Sequence, residues 1–147
     1  MVDLLPDFVP ETERLSSIFR TATAPTFFLG AVAGFASLMT SRMSSAVDRV
    51  RALNAIKEDD PDRAHLKADL ERLMRRAHLL KGGIFAALVA GVFATILLAV
   101  LFVAEFFGLN HAYGAGALFT VATGCLGFAL VKFAQEVRIS LDESDKY

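Results

Sequence analysis

The stretch that decides the fold is residues 84–107, which reads IFAALVAGVFATILLAVLFVAEFF and carries one ionisable group, Glu105, near its end. A helix of this length is roughly 36 Å long at 1.5 Å per residue, whereas the hydrocarbon layer of a bilayer is roughly 30 Å thick. The stretch is apolar on every side, so a water-soluble fold would have to bury all of it. The sequence therefore predicts an integral membrane protein.

The composition of the whole chain agrees with this class. The chain has 147 residues, of which 54% are apolar, with 13 Phe and no Trp, as in one small bundle of membrane helices. A net charge of -1 gives no electrostatic basis for binding nucleic acid. The lone Cys125 lies in an apolar segment, which favours a packing role over a redox role.

Two further stretches are candidates for crossing the membrane. Residues 25–41 form a first span at the short limit of length, and Pro25 predicts that its helix begins there, because proline fits the first helical turn. Residues 113–133 form the third span. Upstream of the first span, the amino-terminal segment 1–24 contains a short amphipathic helix that we expect to lie in the membrane interface on the outer side.

The distribution of basic residues predicts the topology. Residues 42–81, between the first two spans, contain ten Lys and Arg, whereas the connection at 108–116 contains none. The positive-inside rule therefore places the 42–81 segment in the cytoplasm and the 108–116 turn outside. The amino terminus is then outside, and the tail 134–147 is cytoplasmic.

The 42–81 segment is itself predicted to be helical. Met43 and Val47 continue the first helix, and a 4-3-4-3 spacing typical of a coiled coil precedes the second span at Leu66, Leu70, Leu73, Ala77 and Leu80. The break between these helices falls at 54–61, where Asp60 can cap and Pro61 can open the second helix. We therefore predict an all-α membrane domain, residues 25–133, with three transmembrane helices, the first two extended into a cytoplasmic antiparallel helical hairpin.

Small residues recur along each predicted span. Such residues let helix backbones approach closely in a membrane, where no hydrophobic force drives helices together. If packing within one protomer uses two of these stripes, the third is left for a homo-oligomer. The predicted helix-packing residues are Gly30, Gly34, Ser37, Gly91, Gly116, Gly124 and Gly127.

The sequence contains no constellation typical of an enzyme. His65, His78 and His111 are far apart, and no metal-ligand spacing, glycine-rich phosphate loop or intramembrane carboxylate pair is present. We therefore expect no catalytic residue, no metal and no cofactor.

The basic residues of the hairpin are the candidates for binding. We expect them to contact anionic lipid headgroups or an unidentified membrane-protein partner, and the alternative is that they only set the topology. They are Arg42, Arg49, Arg51, Arg72, Arg75, Arg76 and Lys81. The leading hypothesis is a non-enzymatic, self-associating scaffold or accessory subunit.

Four motifs carry a resemblance to a known family. They are IFR at 18–20 with AP at 24–25, then Arg42, VDRVRAL at 47–53 and LERLMRRA at 70–77. On these motifs the chain resembles an uncharacterised bacterial family, domain of unknown function 2721, over about residues 15–140. The resemblance implies a small protein of the bacterial inner membrane and implies no activity.

A second likeness concerns the layout of the spans. Three spans with the amino terminus outside, together with AL at 117–118 and ATGCL at 122–126, are similar to the ExbB/TolQ/MotA stator subunits of proton-driven motors. This likeness implies an ion-conducting or stator-like homo-oligomer as the alternative function. The hydroxyls of Thr95, Thr120 and Thr123 would then line its pore.

Overall fold

The structure, a computed structural model, describes residues 8–56, 63–110 and 112–144. These residues form three α-helices, α1 (Phe8–Asn54), α2 (Arg63–Phe107) and α3 (Ala112–Ser144), and no strand. Each helix is long and apolar enough to cross a membrane. The predicted all-α fold with three membrane-spanning helices is therefore confirmed.

The central element is α2, which packs against both α1 and α3. Its buried side chains recur every seven residues in two rows, one at Leu73, Leu80, Ala87, Ala94 and Leu101, the other at Ala90, Leu97 and Ala104. Single rows with the same spacing line α1 at Val32, Met39 and Ala46, and α3 at Ala122, Ala129 and Glu136. A seven-residue repeat keeps one narrow stripe of a helix facing its neighbour, so two rows allow α2 to serve two partners.

Side chains bridge α1 and α3 across the bundle. The rings of Phe28 and Phe119 lie 5.8 Å apart between centroids, and those of Phe35 and Phe133 lie 5.2 Å apart, edge to face. Both Phe35 and Phe133 pack against the buried core formed by Met39, Leu80, Ala86, Ala87 and Ala129. Long aromatic side chains thus close the space beside the small residues of α2.

The beginning of α1 differs from the prediction. The helix begins at Phe8 and passes through Pro25 without a break, so the predicted helix start at Pro25 is wrong, and the helix predicted upstream of it is the first part of α1. Its location in the membrane interface stays a prediction. Ile18 and Ala22 line a small cavity together with Leu101 of α2, and Pro25 is buried. Packing against α2 therefore extends the helix, although proline removes one backbone hydrogen bond.

Two threonine hydroxyls bond to backbone carbonyls near this proline. The hydroxyl of Thr23 donates to the carbonyl of Phe19 at 2.6 Å, and that of Thr26 donates to the carbonyl of Ala22 at 2.8 Å. These bonds satisfy the hydroxyls within their own helix and do not involve the carbonyl of Thr21, which loses its helical amide partner at Pro25.

The two ends of the bundle are distinct. At one, here called the hairpin end, α1 continues to Asn54 and α2 begins at Arg63. Leu73 and Leu80 of the predicted coiled-coil spacing are buried there, whereas Asp60 and Pro61 lie outside the described residues. The coiled coil itself stays a prediction.

At the other end, here called the turn end, Gly108 stops α2. Its φ is 64°, in the left-handed region that glycine adopts without strain. The amide of Leu109 donates to the carbonyl of Ala104 at 2.8 Å and that of Gly108 to the carbonyl of Glu105 at 3.3 Å, the two bonds of a Schellman cap. From Ala112, α3 then runs beyond the predicted span end at Phe133 as far as Ser144.

Candidate anion site at the hairpin end

A fully buried carboxylate joins all three helices at the hairpin end. Glu136 of α3 is 0% exposed, and Arg76 of α2 donates to its Oε1 from Nε at 3.0 Å and from Nη2 at 2.9 Å. Charge-assisted bonds of this length are among the stronger hydrogen bonds in proteins. The pair therefore ties the cytoplasmic extension predicted for α3 to the hairpin.

Arg42 of α1 approaches the same carboxylate from the other side. Its Nε lies 3.4 Å from Oε2 of Glu136, close enough for an ion pair, and its guanidinium lies 5.5 Å from the ring centroid of Phe133. The geometry is not that of a hydrogen bond, so Oε2 accepts none from the described residues. Glu136 thus has its charge matched on both sides, whereas one of its oxygens lacks a donor.

A cavity of about 290 Å³ lies beside these arginines, between α1 and α2. Its polar lining comes from the guanidiniums of Arg42, Arg49 and Arg76 and from the hydroxyl-bearing Ser45, and Ala46 and Leu73 supply the apolar wall. Ser45 and Arg49 are exposed, so the cavity opens at the protein surface. Three guanidiniums therefore surround one small space, with the carboxylate of Glu136 behind Arg42 and Arg76.

The structure divides the predicted binding residues into two groups. Arg42, Arg49 and Arg76 meet around the cavity. The remaining four, Arg51, Arg72, Arg75 and Lys81, are exposed and lie outside its lining. In that group Arg51 lies 3.6 Å from the carboxylate of Asp48, one helical turn away on α1.

The sequence analysis places Glu136 in the cytoplasmic tail 134–147 and does not identify it as a site residue. A signal was present in the spacing, because Ala122, Ala129 and Glu136 follow one another at intervals of seven residues. Extending the buried stripe of α3 by one repeat therefore reaches the carboxylate. A charged residue at that register position needs buried partners of opposite charge.

The predicted helix-packing glycines differ in their surroundings. A Cβ built on Gly91 would lie 3.4 Å from Val32 of α1, so this glycine lies at a contact between two helices. The same test finds no described atom within 4 Å at Gly30, Gly34, Gly116, Gly124 and Gly127. Ser37 is exposed. Within one protomer these six positions leave their helix faces open, and their role between protomers stays a prediction.

The three predicted pore-lining threonines are exposed, and their hydroxyls bond within their own helices. Thr95 donates to the carbonyl of Gly91 at 2.9 Å, Thr120 to Gly116 at 2.8 Å and Thr123 to Phe119 at 2.8 Å. Such bonds satisfy a hydroxyl on a membrane helix without a partner helix. Over the described part of the chain, no group of three His, Cys, Asp or Glu residues could hold a metal ion.

Three helices that are each long and apolar enough to cross a membrane are typical of a multi-pass membrane protein. The chain belongs to the family described as protein of unknown function (DUF2721), whose model matches residues 22–145, and this confirms the resemblance seen in the sequence. No curated protein and no solved structure matches the chain. The likeness to stator subunits accordingly stays a prediction.

Proposed function

We propose that this protein is a non-enzymatic scaffold or accessory subunit of the bacterial inner membrane that self-associates and holds anionic lipid headgroups at its hairpin end. The observation that carries the proposal is the segregation of charge. Ten of the 15 Lys and Arg residues lie between residues 42 and 81. A basic cluster directly beside membrane spans is the usual means of attracting anionic lipids on the cytoplasmic side.

The exposed members of this cluster are suited to a lipid surface. Arg51, Arg72 and Arg75 are accessible, and none of them contacts the buried Glu136. A basic residue close to an anionic membrane contributes about 1 kcal/mol of attraction. Two such residues acting together would therefore change lipid affinity by about tenfold or more.

The test compares two double variants that lose the same charge. The first, Arg72→Gln with Arg75→Gln, removes exposed charge at the hairpin end, and the second, Arg14→Gln with Arg20→Gln, removes it at the turn end. Native mass spectrometry of protein released from membranes would count bound phospholipids by headgroup. We expect that only the first variant binds less anionic lipid than the unaltered protein, by about tenfold. If both variants bind the same amount of anionic lipid, lipid contact is refuted. If the first variant loses a co-purifying protein while its bound lipid is unchanged, the basic residues contact a protein partner rather than lipid.

Self-association is supported by the small buried fraction of α1 and α3 within one protomer. In the most apolar window of each helix, 17% of α1 and 11% of α3 is buried, against 33% of α2. The open glycines Gly124 and Gly127 of α3 lie in this uncovered region. Close backbone approach at such positions is a common basis for helix association in membranes.

Bulky substitutions on α3 test this contact. Gly124→Leu with Gly127→Leu should shift the mass of the complex in mild detergent from oligomer to monomer, because the backbones could no longer approach. Val121→Leu is the control, since it adds one methylene at an exposed position of the same helix that points about a quarter turn away from the Gly124 and Gly127 face. A monomeric starting protein, or an oligomer that tolerates both leucines, would refute association through this face.

An ion-conducting or stator-like homo-oligomer is the second candidate. The exposed hydroxyls of Thr95, Thr120 and Thr123 favour it, because self-association could bring them around a common axis. Ion flux into liposomes containing the protein, measured again with Thr123→Val, separates the two functions. An ion flux that is lower in Thr123→Val than in the unaltered protein would favour the ion-conducting function. The absence of flux in both proteins would favour the scaffold function.

A further inference from the structure

We propose that the cavity between α1 and α2 is a binding site for a phosphate group, held by Arg42, Arg49, Arg76 and Ser45. This inference rests on the proposed lipid contact of the hairpin end and assigns to it a discrete site. The exposed arginines would attract anionic headgroups without binding any of them in a fixed position, whereas the cavity would bind one phosphate group in a fixed position.

The charge around the cavity favours an anion. Three guanidiniums line it, and Glu136 supplies one negative charge behind Arg42 and Arg76. Like charges placed against the apolar walls of Ala46 and Leu73 repel each other more strongly than in water. An anion inside the cavity would offset this repulsion.

The chemistry of the lining favours phosphate among anions. Arginine presents five N–H donors in a planar fork, so a guanidinium that already bonds a carboxylate can donate to a second acceptor. Forked donors match the tetrahedral oxygens of phosphate, and all three cations of the lining are arginines rather than lysines. The hydroxyl of Ser45 donates to the carbonyl of Ser41 at 3.2 Å, and its rotation toward the cavity would let it donate to the phosphate instead. The cavity, about 290 Å³, lies near the lower limit of roughly 300–1,000 Å³ for small-ligand sites.

The Arg42 end of the cavity lies at the depth expected of lipid headgroups. Arg42 directly follows the apolar residues 25–41, and Arg49 lies seven residues further, roughly 10 Å along the helix. The headgroup region of a bilayer occupies about 5–8 Å beyond the hydrocarbon on each side. The phosphate could therefore belong to a membrane lipid or be free in solution.

The experiment uses the full-length protein in neutral detergent. Its melting temperature is measured while inorganic phosphate, or a soluble short-chain phosphatidylglycerol, replaces chloride at constant ionic strength. Arg49→Gln removes the exposed arginine of the lining and leaves in place Arg42 and Arg76, which pair with Glu136, and Ser45→Ala removes the hydroxyl. Arg51→Gln is the matched control, because it removes an equal charge two residues away, outside the cavity lining.

We expect saturable stabilisation of the unaltered protein. Arg49→Gln should raise the half-saturating concentration by about tenfold or more, because a charge-assisted contact is lost, Ser45→Ala should raise it less, and Arg51→Gln should change it less than twofold. A response to inorganic phosphate assigns the site to the free ion, and a response to the lipid alone assigns it to a headgroup. The absence of saturation, or equal effects of Arg49→Gln and Arg51→Gln, would overturn the proposal.

The outcomes separate this inference from the proposed function. If the cavity variants leave binding unchanged while Arg72→Gln with Arg75→Gln still loses anionic lipid, the discrete site is refuted and diffuse lipid contact remains. If the cavity responds to inorganic phosphate and the double variant keeps its lipid, the site remains and the lipid function is refuted.

Discussion

Glu136 is the residue on which the hairpin end depends most. Its carboxylate is fully buried, and Arg76, whose side chain is 14% exposed, makes both of its hydrogen bonds. Ion pairs removed from water stabilise little when complete, yet breaking one leaves an uncompensated charge at a cost of about 3–5 kcal/mol. The consequence of substitution therefore depends on which partner is left behind.

The first prediction contrasts adjacent arginines. Arg76→Gln should lower the free energy of unfolding by about 3 kcal/mol, because it removes both hydrogen bonds to the buried carboxylate and leaves it only the looser ion pair with Arg42. Arg75→Gln changes the same charge at an exposed position and should alter stability by no more than about 0.5 kcal/mol. Denaturant titration in detergent measures both variants.

A double variant checks the cause. Combining Arg76→Gln with Glu136→Gln removes the stranded charge, so it should recover most of the stability that Arg76→Gln alone loses. If the two losses simply add, the buried ion pair is not the reason for the effect.

Gly83 lies where α2 meets both α1 and α3. A Cβ built there would lie 2.9 Å from Sδ of Met39 on α1, and 3.5 Å from both the carbonyl oxygen of Ala129 and Cβ of Lys132 on α3. The neighbouring Gly82 meets no described atom within 4 Å. The space for a side chain is thus restricted at Gly83 and open at Gly82.

The second prediction follows from this difference. Gly83→Leu should destabilise the protein by about 1–3 kcal/mol through overpacking, whereas Gly82→Leu should be neutral or stabilising, because leucine is the better helix former. Thermal unfolding in detergent compares them. Adding Met39→Ala should partly rescue Gly83→Leu, and equal losses at both glycines would contradict the proposed contact.

The elements were predictable from the sequence to different degrees. The hydropathy of residues 84–107 and 113–133 was sufficient for two spans, and the periodicity after residue 42 was sufficient for the hairpin. Local rules failed at Pro25, because they place proline in the first turn of a helix and cannot account for packing against α2. Local rules failed again after Phe133, because the sequence does not show whether a charged residue that follows a span is buried or exposed to solvent.

The third prediction concerns this proline. Pro25→Ala restores one backbone hydrogen bond in the interior of α1 and removes a buried ring, so gains of up to about 3 kcal/mol oppose losses of about 1–2 kcal/mol. We expect a net stabilisation of about 1 kcal/mol in thermal unfolding. A clear destabilisation would indicate that the proline ring is needed where α1 meets α2.

Over the whole molecule, the arrangement of charge predicts the orientation. Arg14 lies at the turn end, since its guanidinium is 3.9 Å from a Cβ built on Gly108, but the hairpin end has far more basic residues. Basic residues flanking the spans are retained in the cytoplasm. The hairpin end should therefore face inward.

The fourth prediction is the labelling pattern of single cysteines. In a Cys125→Ala background, Asn110→Cys at the turn end should react with a membrane-impermeant thiol reagent in intact spheroplasts. Asn54→Cys at the hairpin end should react only after the membrane is opened. The reverse pattern would contradict the inward hairpin and, with it, contact between the hairpin and cytoplasmic lipids.

The meeting of Arg42, Arg76 and Glu136 also has a consequence for biogenesis. Ribosomes make the two arginines first, on α1 and α2, and the acid that pairs with both of them comes later, on α3. A nascent polypeptide that stops short of residue 136 therefore lacks the carboxylate that connects α1 and α2 to α3. Assembly of the hairpin end can be completed only after translation has passed residue 136, so termination before that point yields a product without this ion pair.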